Sequence, residues 1–171
     1  MKILPKNAGL ERLSQLRSEF AERIREGYEN KARSCAVCTT PGACCLDEHF
    51  VNVHISRLEA AAIAQRINKL PEAKRDEVYA RVEAAISRYG LEDGDTFSRT
   101  FACPLYERGT GCLVHDTAKP LPCIAHACYD KKEDLPPGEL LAEQEIRIDA
   151  LNRRVYGKHS KCLPLPVAIR R

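Results

Sequence analysis

Nine cysteines dominate the chemistry open to this chain of 171 residues. Four of them lie within Cys35 to Cys45, which reads C-A-V-C-T-T-P-G-A-C-C, and the others are Cys103, Cys112, Cys123, Cys128 and Cys162. Thiolates are soft ligands for zinc, for iron and for iron–sulfur clusters. Cys35-x-x-Cys38 is a chelate unit: two thiolates at this spacing, on a turn, reach one ion without strain. Zinc takes four ligands in tetrahedral geometry, often from two such pairs, and clusters commonly take four cysteines. Cys44-Cys45 behaves differently. Neighbouring side chains of an extended backbone point to opposite faces. The pair therefore serves one centre only where the backbone turns. Otherwise it serves two centres, or one thiol binds and the other packs. This pair separates the chain from a simple four-cysteine zinc ribbon.

The second cysteine region extends the ligand set, so the expected metal ligands are Cys35, Cys38, Cys44, Cys45, Cys103, Cys112, Cys123 and Cys128. His115 and His126 stand at chelate spacing from Cys112 and Cys123, which leaves a mixed Cys/His zinc site open. Isolated histidines are more often surface groups, and His49, His54 and His159 have weaker claims. A cysteine can also be a small buried apolar side chain, with Cys162 the first candidate. That reading does not explain a C-x-x-C, a C-C and four further cysteines. Eight or nine thiols exceed what one zinc ion uses, so an iron–sulfur cluster is favoured over zinc. A redox dithiol at C-A-V-C competes, but no βαβ context surrounds it. The zinc deaminase pattern, H-E-x-x-H, the P-loop and G-x-G-x-x-G are all missing from the sequence.

The scaffold expected around these thiols is mainly α: a small helical domain with an αα-hairpin and short β-hairpin or irregular segments. Residues 7–33 carry Leu10, Leu13, Leu16, Phe20, Ile24 and Tyr28 at helical steps, and Gly27 weakens the last turns. Pro41-Gly42 is turn chemistry that lets Cys38 and Cys44 face a common point. Residues 46–55 alternate as a strand does. Ser56-Arg57-Leu58-Glu59 is a capping box opening a helix to about Leu70. Pro71 begins a third helix that Gly90 ends, with Val78, Val82, Ala85, Ile86 and Tyr89 as its buried stripe. Residues 96–102 are expected as a short strand. Cys103 and Cys112 should flank a hairpin turn at Glu107–Gly111. Lys119–Cys123 is expected to be extended and Cys123–Cys128 to form one helical turn. A last helix is expected over Glu139–Tyr156, ended by Gly157, with Leu141, Ile148, Leu151 and Val155 inward. The proline-rich tail is expected to be extended. The whole reads as one domain, 1–171, in which a metal-binding region, 35–128, is flanked by helices 7–33 and 139–157.

The formal charge is +3, with acids and bases interleaved. That balance does not mark a nucleic-acid binder, which needs a clustered basic face. No apolar run approaches the roughly 18–20 residues of a membrane span. The N-terminus lacks the apolar stretch of a secretory signal, so the expected location is cytoplasmic. Thiols are kept reduced there, which favours metal binding over disulfides.

The arrangement C-x-x-C, then C-C, then C-P-L…G-C-L-V-H…P-L-P-C resembles the YkgJ-like cysteine-cluster family, described as a zinc- or iron-chelating domain. The resemblance spans roughly residues 35 to 128. It implies ligand roles for Cys35, Cys38, Cys44, Cys45, Cys103, Cys112 and Cys123, and less firmly for Cys128. The chain is a divergent match. Five residues, Thr39 to Ala43, precede the cysteine pair where the family has two. His115 and Lys119-Pro120 stand where it has Tyr and Arg-Pro, and Ile124 stands where it has Arg. A flagellin lysine methylase of the same wider group is associated with an iron–sulfur cluster, which by analogy implies methyl transfer or radical chemistry. Family resemblance does not fix function, and no residue here identifies a methyl-donor pocket.

Three functions follow. The first is a metal- or cluster-binding protein whose centre is structural, or serves metal handling or sensing. The second is a cluster- or metal-dependent enzyme acting on a protein, a methyltransferase or oxidoreductase, for which Asp47, Glu48, His49, His115, Asp116 and His126 are the polar groups to inspect. The third is an interaction module in which metal staples a helical scaffold for a protein partner. The first needs no further residues and ranks highest.

Overall fold

The computed structural model describes residues 3–34, 37–46, 51–92 and 94–170. In chain order its helices are α1 (Lys6–Gly27), α2 (Ala43–Leu46), α3 (Arg57–Ile67), α4 (Glu72–Tyr89), α5 (Leu121–Ala125), α6 (Gly138–Tyr156) and α7 (Leu165–Ile169). Among the described residues six two-residue strands accompany them: β1 (Ala32–Arg33), β2 (His54–Ile55), β3 (Tyr106–Glu107), β4 (Gly111–Cys112), β5 (Cys128–Tyr129) and β6 (Leu163–Pro164). The protein is mainly helical, with short antiparallel strand pairs, as its periodicity predicts. The chain divides into two compact units, each built from two separated stretches: Met1–Pro41 with Lys119–Ser160, and Gly42–Ala118 with Lys161–Arg171.

In the first unit α1 packs on α6 and α5. Leu10, Leu13, Phe20 and Ile24 are buried, the apolar stripe expected. Leu16 and Tyr28 are only half-buried, and Arg17 is buried beside the stripe, its Nη1 included. The helix stops at Gly27, before the expected residue 33. The chain then runs extended, so that β1 pairs antiparallel with β5, Ala32 opposite Tyr129 and Arg33 opposite Cys128. In α6, which ends at Gly157 as expected, Ile148 and Leu151 are buried along with Gln144 and Asn152, while Leu141 and Val155 are half-buried. The Leu4 N–H donates to the Arg154 carbonyl at 2.8 Å, which sets the start of α1 beside the end of α6 and makes the two antiparallel.

In the second unit the Ser56 capping box forms: the Ser56 hydroxyl accepts from the Glu59 N–H, and Glu59 accepts from the Ser56 N–H at 2.9 Å. α4 follows Pro71 and ends at Gly90 with φ +60°, the left-handed conformation that glycine supplies without a Cβ penalty. α3 and α4 both lie against α7. Their inward faces, with Ile63, Ile67, Val78, Val82 and Ile86, share one apolar core with Phe101, Leu105, Val114, Leu165 and Ile169.

Four local expectations are corrected. Residues 96–102 form a turn and irregular chain, not a strand; the Phe101 N–H donates to the Val51 carbonyl (2.8 Å), and side-chain bonds at Thr96, Phe97 and Arg99 also hold the segment. Of the strand expected over 46–55, Leu46 is helical and only His54–Ile55 are in strand, pairing with β6; residues 47–50 lie outside the described residues. The stretch expected to be extended at Lys119–Cys123 is helical from Leu121. The tail forms α7. Both of these helices begin right after a proline and hold their second proline in the first turn, where its missing N–H costs no intrahelical bond. The hairpin flanked by Cys103 and Cys112 forms as expected, Tyr106 opposite Cys112 and Glu107 opposite Gly111.

Candidate metal centre

Cys44 and Cys45 lie on α2, a single helical turn. Gly42 opens it at φ +80°, and its carbonyl accepts the N–H groups of Cys45 (2.9 Å) and Leu46 (3.0 Å). The ring of Tyr106 fills the space where a side chain at Gly42 would go. On a helical turn successive side chains are rotated by about 100°, not the 180° of a strand. The two adjacent thiols thereby reach each other and share a hydrogen bond. The backbone condition for both to serve one centre is met.

Two further cysteines of the same unit join this neighbourhood. The Cys103 N–H donates to the Cys45 carbonyl at 2.7 Å, and its own carbonyl accepts the Tyr106 N–H at 3.3 Å. Cys112 sits on β4 opposite Tyr106. Its carbonyl accepts the His115 N–H at 3.2 Å. All four thiols are half-buried. The Cys45 thiol is pushed up to about 12, first by burial, then by the negative charge that Cys44 and Cys103 would carry, with the Cys44 hydrogen bond and Cys112 adding to it. Burial disfavours a thiolate, and each ionised neighbour disfavours the next. A bound soft cation reverses both effects, since coordination deprotonates a thiol outright. The donor chemistry thus suits zinc or an iron–sulfur cluster. Among the described residues no three Cys, His, Asp or Glu side chains are gathered at metal-holding distance, so coordination requires these thiols to close up.

The first unit holds Cys38, Cys123 and Cys128. Cys38 is half-buried, its Sγ 3.9 Å from the Thr40 Oγ1. Cys123 is half-buried in the middle of α5. Cys128 is exposed on β5, opposite Arg33. The Arg33 guanidinium pairs with Asp130 at 2.6 Å. Its pKa is raised chiefly by that carboxylate, and Cys128 contributes in the same direction. Cys35, Asp47, Glu48 and His49 lie outside the described residues. His126 follows α5. The residue is exposed overall, but partial desolvation of its ring lowers its pKa and the charge of Lys119 lowers it further. His115, Asp116 and Cys162 are exposed. His159 contacts the Asp149 carboxylate at 3.1 Å.

His54 gains a definite environment that the sequence reading did not assign. Its Nε2 is 3.1 Å from the Thr96 hydroxyl, and its ring stacks on Phe97 with centroids 4.2 Å apart. The Asn52 amide donates to the Phe97 carbonyl. Burial lowers the His54 pKa, with Asp95 opposing. Nothing local in the sequence joins position 54 to 95–97, because the contact depends on tertiary packing.

Comparison with family models, curated proteins and solved structures yields no match to this chain. Fold and side chains together define a mainly helical protein with a half-buried thiol group. No helix among the described residues is long and apolar enough to cross a membrane.

Proposed function

We propose that this protein is a cysteine-cluster metal-binding protein of the YkgJ-like type, holding an iron–sulfur cluster, or zinc in its place, in a structural, metal-handling or sensing role. The observation that carries the reading is that Cys44 shares a helical turn with the half-buried Cys45, the Cys103 N–H bonds to the Cys45 carbonyl, and Cys112 lies near enough to act electrostatically on the Cys45 thiol. These residues come from separate parts of the sequence, and as bare thiols they gain nothing electrostatically from proximity. A cytoplasmic setting goes with this reading, since the thiols must stay reduced to bind metal.

The test is anaerobic purification followed by absorption spectroscopy and metal and sulfide analysis. A brown protein with iron and sulfide is expected. A colourless protein with stoichiometric zinc keeps the metal centre and replaces the cluster. Cys45→Ser and Cys103→Ser should each lower metal content relative to Cys162→Ser. Folded protein that stays metal-free after reconstitution with both iron–sulfide and zinc would overturn the reading.

A further inference from the structure

The antiparallel pair α1 and α6 bounds an open groove of about 440 Å³, lined by Arg12, Gln15, Leu16, Glu19 on one side and Arg147, Ala150, Leu151, Arg154 on the other. Each set follows one helical stripe. Two rungs of opposite charge fix how the helices are aligned. Arg23 faces Glu143 at 3.7 Å, and four residues further along each helix Glu19 faces Arg147 at 3.6 Å. Seven residues beyond that rung, about 10.5 Å along each axis, the same alignment sets Arg12 across from Arg154. At this rung like charge meets like.

Neither Arg12 nor Arg154 is held in an ion pair among the described residues. Arg147 and Glu19, by contrast, are engaged: Arg147 also donates to Gln144 at 2.9 Å, and Glu19 accepts from Gln15 at 3.0 Å. Arg154 alone needs no ligand, because a cation in the last turn suits the helix dipole. Arg12, which is exposed, has no such reason, and an anion lying between it and Arg154 would offset the repulsion of two like charges on one groove. The groove is also within the size range of small-molecule sites, and it has an apolar floor of Leu16 and the buried Leu151.

We propose that this groove binds a small organic anion. Its oxyanion head, carboxylate or phosphate, sits between the forked guanidinium groups of Arg12 and Arg154. Its apolar body lies over Leu16 and Leu151. Glu19 sets the far limit, repelling a second anionic group. The site is independent of the thiol cluster.

Calorimetric titration of the full chain with hexanoate, hexyl phosphate, inorganic phosphate and hexanol tests this. At least one of the two amphiphilic anions should bind, and the comparison between them identifies the head group. Hexanol should bind more weakly because it lacks the charge. Arg12→Gln and Arg154→Gln should each weaken the anion by about tenfold or more, and Glu19→Gln should tighten it severalfold. Arg12→Glu completes the rung as an ion pair. It should abolish anion binding while leaving the thermal midpoint at or above that of the parent. The proposal is overturned if no anion binds up to about 10 mM, if hexanol matches the anions, or if both glutamine variants bind as the parent does.

Discussion

Replacing Gly42 by Ala tests the geometry that makes Cys44 and Cys45 neighbours of Cys103 and Cys112. Two independent costs arise. Gly42 has φ +80°, and holding an L-residue in the left-handed region costs roughly 1–2 kcal/mol. The new Cβ would also fall within the Tyr106 ring. That ring must swing away from its half-buried place, and forcing such overpacking costs about 1–3 kcal/mol. The expected loss is therefore roughly 2–5 kcal/mol, read as a lower urea midpoint at unchanged slope by circular dichroism. A double-mutant cycle separates the parts. In a Tyr106→Ala background the steric cost disappears and the backbone cost remains, so Gly42→Ala should cost about 1–2 kcal/mol there. The reasoning fails if Gly42→Ala costs less than about 0.5 kcal/mol in the parent, or if its cost is the same with and without Tyr106.

Two further outcomes follow from the ionisable groups. His54 has a folded-state pKa below the ordinary 6.5, so the unfolded chain takes up its proton first. Its contribution to stability is complete above pH 6.5 and is lost as the pH falls through the lower folded value. Stability between pH 7 and 5 should fall less steeply in His54→Gln than in the parent; parallel pH profiles would show that the ring is not the titrating group. In metal-free protein at pH 8, Cys45 stays protonated while Cys128 and Cys162 are exposed. Iodoacetamide followed by mass mapping should mark those two before Cys45, because the thiolate is the reactive form. Early labelling of Cys45 would contradict its burial.

Sequence and structure agree where a local signal meets no tertiary opposition. Pro71 and Gly90 bracket α4 because proline suits a helix start and glycine a left-handed stop. Ser56 and Glu59 announce α3 through a cap that closes within one turn. The prolines near Leu121 and Leu165 argued for extended chain and misled, since proline in a first turn removes no helical bond. The alternating residues 96–102 have no neighbouring strand among the described residues to complete a ladder, so their pattern does not become a strand.

The candidate site divides along the same line. The sequence by itself determined that this chain carries far more thiols than packing requires, in C-x-x-C and C-C spacings suited to soft metals. It also determined that Cys103 and Cys112 flank a hairpin, because Gly109 and Gly111 supply the positive φ of its turn. Only the tertiary structure decided that the Cys103 backbone bonds to Cys45 and that Arg12 and Arg154 line one groove. Those relations join residues distant along the chain. Periodicity and spacing describe one segment at a time, whereas the partner across a groove or a backbone bond is chosen by how separate segments bury their apolar faces together.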